Sequence, residues 1–301
     1  MELWVPITIA AAFSQNIRAA LQKVLKDRLS DAGATFVRFG FGLPVAIVYL
    51  LVLKSWMGSD LPDPSSAFVA FGLLGGTTQI VATFLLVRLF SLRNFAVGTA
   101  YSKTEPIQAA FFGIVLLGET PQLAAALAIA ISTVGVGAIS VARSEFSPTG
   151  LFSSLVSPPA LIGLASGALF GVSAVAYRAA SLALGGPGFM MQAAFTLTCV
   201  ILYQTLAMVL YLAWFEPGQL TAVLRNWRPS AWVGLVGVVG SACWFTAMTI
   251  QNAAYVRALG QVELFFTAMV SWFYFRERLN RIEIAGIALI AFGIVLLLIE
   301  T

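Results

Sequence analysis

Ten apolar stretches, each about 20 residues long, take up nearly all of this 301-residue chain, and that pattern constrains the fold more than any other feature. In hydrocarbon every backbone N–H and C=O must find its partner inside the protein, so stretches of this length cross lipid as helices. Composition agrees, with 59% of residues apolar, 10% charged and a mean hydropathy of +0.92. Soluble domains run near ~45–50% apolar and ~25% charged, so the chain reads as an integral membrane protein. The loops are too short to hold a soluble domain. Residues from Leu3 onward form a first span rather than a cleaved leader, since no basic segment precedes them.

Helix punctuation sets the boundaries. Spans are expected at residues 3–21, 33–53, 63–89, 94–117 and 120–142, then from Ser157, Pro187 and Ser230, over 254–275, and from Asn280. Asp63-Pro64, Thr120-Pro121 and Ser157-Pro158 each pair a capping residue with a proline suited to the first helical turn. Asn280 and Glu283 have capping-box spacing. The expected fold is all-α, with ten transmembrane helices.

The chain also repeats itself. A shift of 158 residues lays Ala96 on Ala254, Glu105 on Glu263, Glu119 on Glu277 and Gly135 on Gly293. Apolar coincidences carry little weight in membrane helices, but two coincident acids in a chain this poor in charge carry more. Two units are expected, 1–146 and 157–301, each of five spans. An odd number of spans makes the halves enter the membrane in opposite senses, the inverted-repeat plan of secondary transporters, with the binding site between them at mid-depth.

Charge distribution fixes an orientation. On the side reached after the first span lie thirteen basic residues, Arg18 and Arg38 among them, against Lys54, Arg178 and Arg257 on the other side. The positive-inside bias places the first group in the cytoplasm of a bacterial-type inner (plasma) membrane and both termini outside. The net charge of +4 therefore signals membrane topology and no nucleic-acid partner. The chain has no His, the commonest metal ligand and general base, and no metal or cofactor is expected. Cys199 and Cys243 fall in apolar segments and read as small buried hydrophobes.

The polar stretch Tyr101-Ser-Lys-Thr-Glu-Pro-Ile-Gln108 interrupts the fourth span near mid-depth. Charge there costs at least ~2.5 kcal/mol per residue and normally faces a bundle interior or aqueous cavity. Pro106 removes a backbone donor and predicts a kink. Tyr101, Glu105 and Gln108 would share one helical face, with Lys103 about 200° from Glu105 on an ideal helix. Gln261 and Glu263 mirror Lys103 and Glu105 in the second half, and Gln15, Asn16 and Gln79 lie at similar depth. These residues, with Trp244 and Trp272 as aromatic walls, are the candidate substrate-binding or coupling set. A carboxyl so placed takes up protons near neutral pH more readily, which suits proton-coupled antiport, while a neighbouring ammonium opposes that. Glu119, at a span end, is expected in capping or loop contacts. The ridge Gly163, Gly167 and Gly171 is expected to pack helices closely within the chain.

Leu117-Gly-Glu119 followed by Gly135, and Phe275-Arg-Glu277 followed by Gly286 and Gly293, resemble the paired signature of EamA-type members of the drug/metabolite transporter superfamily. Phe170-Gly-Val-Ser173 and Arg38-Phe39 resemble two further motifs of that family. The resemblance covers the whole chain and implies two inverted five-helix repeats around a central cavity, working by alternating access. The chain departs from the family at Phe13-Ser-Gln-Asn16, where a Trp-Gly pair is missing. Its charge bias also departs, because many relatives keep both termini in the cytoplasm.

The leading expectation is a secondary transporter exporting small amino-acid-like or aromatic metabolites, with proton coupling left open. Its partners would be a small-molecule substrate and the bilayer, and its state monomer or homodimer. Other cargo, riboflavin-like, drug-like, nucleotide-sugar or phosphorylated, stands as the alternative. Phosphate would need two or more cationic side chains in the cavity, and only Lys103 is clearly at depth. A lipid scramblase or structural membrane protein is the alternative outside transport. An enzyme is not expected, for want of His, metal clusters, a Ser-base pair or an aspartyl pair.

Overall fold

The computed structural model describes residues 2–89, 101–142, 157–186, 188–266 and 280–300. Every regular element among them is helical. In order they are α1 (Trp4–Leu25), α2 (Asp31–Gly40) running into α3 (Gly42–Met57), α4 (Ser66–Leu89), α5 (Glu105–Leu117) and α6 (Leu123–Ala142). There follow α7 (Pro158–Ala183), α8 (Phe189–Phe215), the short α9 (Gln219–Arg225), α10 (Trp227–Ile250), α11 (Ala253–Leu259) with a 3-10 turn at Gly260–Val262, and α12 (Arg281–Glu300). The expected start of the fourth span, the end of the ninth, and Pro187, Trp272 and Glu277 lie outside the described residues.

Six of these helical stretches are long and apolar enough to cross a membrane, and two shorter apolar helices join them. The first helix, α1, stays outside that group because Gln15, Asn16, Arg18 and Gln22 make one stretch of it polar. Helix starts follow local chemistry. At α12 the expected capping box closes, with Asn280 Oδ1 accepting from Glu283 N at 2.8 Å and Glu283 Oε2 from Asn280 N at 2.9 Å. Pro158 sits in the first turn of α7 as expected. At α4 the cap falls two residues later than expected. Ser65 Oγ accepts from Phe68 N at 3.1 Å, so Ser65 rather than Asp63 opens the helix.

Packing between helices runs across the two halves: α1 against α10, α4 against α7, α3 against α8, and α6 against α12. Likewise α5 lies on α7, and the 3-10 turn lies on α1. Exchanging the halves turns α1·α10 into α7·α4. The pairs α3·α8 and α6·α12 map onto themselves. The closure of these four pairs under exchange accords with two structurally similar repeats.

Glycine permits the closest of these contacts. A Cβ on Gly286 would lie 2.6 Å from the Gly135 carbonyl oxygen, and one on Gly135 2.6 Å from that of Gly286. The α6 and α12 backbones thus touch directly, as small residues allow in lipid. The ridge on α7 serves the same end, since a Cβ on Gly167 would meet Ser102 O at 2.8 Å. We expect Gly286→Leu to lower the melting temperature of the purified protein in detergent, overpacking costing about 1–3 kcal/mol. An unchanged melting curve would contradict the α6–α12 crossing.

Candidate functional site

The site forms where two helices are interrupted. Tyr101 and Ser102 are helical, the chain turns at Lys103 and Thr104, and α5 starts at Glu105 with Pro106 in its first turn. Thr104 ties the turn down, donating to Tyr101 O from Oγ1 at 2.7 Å and from N at 3.2 Å. A continuous helix kinked at Pro106 was expected. The proline instead opens a new helix, where its missing N–H has no intrahelical partner to lose. In the second half α11 stops at Leu259 and gives way to the 3-10 turn Gly260–Val262, which the 158-residue shift lays on 102–104. Both halves break at the same register.

The break solves a geometric problem. Lys103 and Glu105 point away from one another on an ideal helix, yet here they line one cleft with Gln15, Trp244, Arg257 and Glu263. Lys103 pairs with Glu263, and Arg257 pairs with Glu105. Each pair joins an acid of one half to a cation of the other. Gln15 Nε2 donates to Glu263 Oε2 at 3.0 Å, and Asn16 Nδ2 to the Glu263 carbonyl at 3.0 Å. Arg257 meets Glu105 as a charge pair without an aligned hydrogen bond at Oε1. Its guanidinium carbon stands 4.5 Å from the centre of the Trp244 ring, a cation–π contact that strengthens when desolvated. The lack of a side chain on Gly260 lets the indole lie against the break, since a Cβ there would come 2.5 Å from the ring.

Several polar atoms in this cleft have no partner among the described residues. Both amide atoms of Gln261 and the Trp244 indole N–H are buried without a hydrogen bond among the described residues. Buried polar groups are nearly always satisfied, so three unmet atoms facing one cleft mark a place for water or ligand. The cleft and its mouth together span about 290 Å³ of space between atoms, open solvent included. A second, of about 370 Å³, shares Gln15, Trp244 and Arg257 with it and continues to Gln79, Ser173 and Arg38. Gln79 Oε1 there accepts from Tyr177 Oη at 3.0 Å and from Gln204 Nε2 at 3.0 Å. Both clefts are tight, with room for a water or two and none for a metabolite.

Of the residues singled out in the sequence, Lys103, Glu105, Gln15, Gln261, Glu263 and Trp244 meet in one cleft, Asn16 bonds to its wall, and Gln79 lines the next. Gln108 does not join them. Its amide donates to Thr104 Oγ1 at 2.9 Å, and its other end packs by Gly167 of α7. Tyr101 is half-buried on the turn before the break. Trp272 lies outside the described residues.

Four arginines were missed. Arg18 and Arg38 are only 7% and 8% exposed, and Arg178 and Arg257 are likewise largely covered, so none is the loop charge assumed in the topology count. Lys103 is therefore not the only cation at depth. With those four removed the count becomes eleven against one, and the basic bias keeps its sign.

Each end of the bundle is tied shut. At one end Gly118, with φ of +67°, closes α5 and turns Glu119 toward α7. Arg178 Nε donates to the Glu119 carboxylate at 2.8 and 3.1 Å, and Asn252 Nδ2 donates to it at 2.9 Å. Nη1 of Arg178 also donates to the Met248 and Gln251 carbonyls, each at 2.8 Å, satisfying acceptors left over at the end of α10. At the other end Ser30, the cap of α2, bonds to Glu216, and its N–H donates to Gln219 Oε1 at 3.2 Å. Counterparts α1 and α7 thus end at opposite faces.

Apolar helices in this number, closing over interior charges, define a multi-pass membrane protein. The chain belongs to the EamA-like transporter family, whose model matches residues 2–141 and again 157–299. One solved crystal structure superposes over 98% of this chain and 99% of its own at a TM-score of 0.66 and 17% identity, a likeness of fold alone. No curated protein matches the chain in sequence.

Proposed function

We propose that the chain is a secondary active transporter exporting small amino-acid-like or aromatic metabolites by alternating access. In this reading ten transmembrane helices form two inverted repeats, 1–146 and 157–301. The basic face lies in the cytoplasm of a bacterial-type inner membrane, with both termini outside. The observation that carries the reading is the pair of crossed ion pairs at matched helix breaks, beside polar atoms of Gln261 and Trp244 that no described residue satisfies. A zwitterion has charges that answer both pairs. Its ammonium takes the place of Lys103 against Glu263, and its carboxylate takes Arg257 from Glu105. Either exchange loosens a link between the halves at the point where both helices are already interrupted. Cargo binding and separation of the repeats are then one event.

A conformer latched at both ends, with clefts too tight for cargo, fits the occluded state of such a cycle. Proton coupling would act at Glu105 or Glu263, where protonation also breaks a cross-repeat pair. The test is flux into proteoliposomes of a labelled panel of neutral, acidic and aromatic amino acids, with and without a pH gradient. Expected is saturable uptake of at least one class, reduced at least tenfold by Lys103→Ala. Uptake by Lys103→Ala equal to that of the wild type would remove the site from the transport path.

A further inference from the structure

The ion pairs account for Lys103, Arg178 and Arg257, and among the described residues leave the buried arginines Arg18 and Arg38 over. Arg18 and Arg38 have no carboxylate partner among the described residues. Each guanidinium carries five N–H donors. One from Arg18 goes to Gln22 Oε1 and one from Arg38 to Ser241 Oγ at 3.3 Å. The two lie at matched depth below the same face. Arg18 is seven residues before the end of α1 and Arg38 seven after the start of α2, so each is about 10 Å in at 1.5 Å per residue. Gly237 of α10 brings them together: the point where its Cβ would be lies 3.3 Å from Arg18 Cδ and 3.5 Å from Arg38 Cγ.

Two like charges so close and so covered are costly unless a counter-charge joins them. Close packing alone would need only the aliphatic stems. We propose that Arg18 and Arg38, with Ser241, form an anion site that takes the negatively charged group of the cargo, carboxylate or phosphoryl oxygens. Planar guanidinium forks match either group in two parallel hydrogen bonds. Arg38 lines a cleft with Gln79, Gln204 and Ser241, and also the larger cleft that runs on to Arg257 and Gln15. The site therefore lies about one helical turn from the crossed pairs, on the basic side, where cargo leaving the cytoplasm arrives first. Calling the anion part of the cargo rests on the transporter reading. The site itself does not.

The test is the melting temperature of the purified full-length protein in detergent with 3-phenylpropionate, with inorganic phosphate, and with 3-phenylpropionamide as the uncharged control. Expected is a rise of about 3 °C or more with one of the two anions at about tenfold excess over its dissociation constant, and none with the amide. A response to phosphate alone assigns phosphoryl cargo, and a response to phenylpropionate assigns a carboxylate. Arg18→Gln and Arg38→Gln should each abolish the rise. Arg38→Lys, which keeps the charge and loses the fork, should weaken binding about tenfold and serves where a glutamine variant does not fold. The site is overturned if neither anion shifts the wild type, if the amide shifts it equally, or if the arginine variants keep the wild-type response. Binding without flux would retire the transporter reading and leave the site standing, while flux without binding would do the reverse.

Discussion

Lys103→Glu and Glu263→Lys should each abolish transport singly, and the two together should restore part of it. Removing one partner of a buried pair strands the other charge, at a cost of about 3–5 kcal/mol. That corresponds to a loss of more than about a hundredfold in a population or rate. Reversing both charges rebuilds the attraction across the repeats. Gln15, which donates to Glu263, has an amide that turns to accept from a lysine there. Recovery stays incomplete because a glutamate at 103 stands two residues from Glu105. The measurement is counterflow in proteoliposomes at matched protein density, with size-exclusion profiles of all three variants. At least tenfold recovery over either single variant is expected. A double variant as inactive as the singles, though folded, would mean that the two side chains do not act on one another.

That result matters because the link between repeats is made of charges rather than of packed apolar surface. In lipid, apolar burial does little to hold helices together, and association depends on close packing and polar contacts. The lattice of contacts here follows suit, with glycines where backbones touch and ion pairs where helices are broken. The glycine contacts are permanent. A pair such as Lys103–Glu263 is exchangeable, since a ligand with the right charges can replace either partner.

Much of this was legible in the sequence, and the illegible parts share a cause. Apolar runs and cap residues are local signals that mark most of the helices, and the doubled acids Glu105 and Glu263 point to the two residues that meet in one cleft. The break at Lys103-Thr104 was read as a kink, because Pro106 looks alike inside a helix and at the start of one. Only tertiary contacts decide which. Gln108 keeps its spacing from Glu105 within α5, but its amide turns back to Thr104 and does not line the cleft, a choice that periodicity does not reveal. The arginines were misjudged for another reason. Each lies near the end of a span, where a long basic side chain can reach either water or the protein interior. Sequence position does not distinguish these, whereas a neighbouring glycine such as Gly237 does once the fold is known.

Loosening the Arg178–Glu119 latch should open the face that carries it. The guanidinium ties α7 to two other chain segments, the loop after α5 through Glu119 and the end of α10 through the Met248 and Gln251 carbonyls, while Asn252 adds a second bond to the same carboxylate. Arg178→Met keeps most of the stem and removes these bonds together. With Cys199 and Cys243 replaced by serine and a single cysteine at Gln261, an impermeant maleimide applied from the Glu119 side should label the Arg178→Met protein at least tenfold faster. That ratio corresponds to about 1.4 kcal/mol, below the cost of breaking one buried pair. Flux should fall at the same time, because a carrier held open at one face does not complete its cycle. Ser30→Ala with Glu216→Ala should have the opposite sidedness, since that contact closes the other face. Equal labelling from the Glu119 side, with and without Arg178, would show that this network holds the loops in place without controlling entry to the central cleft.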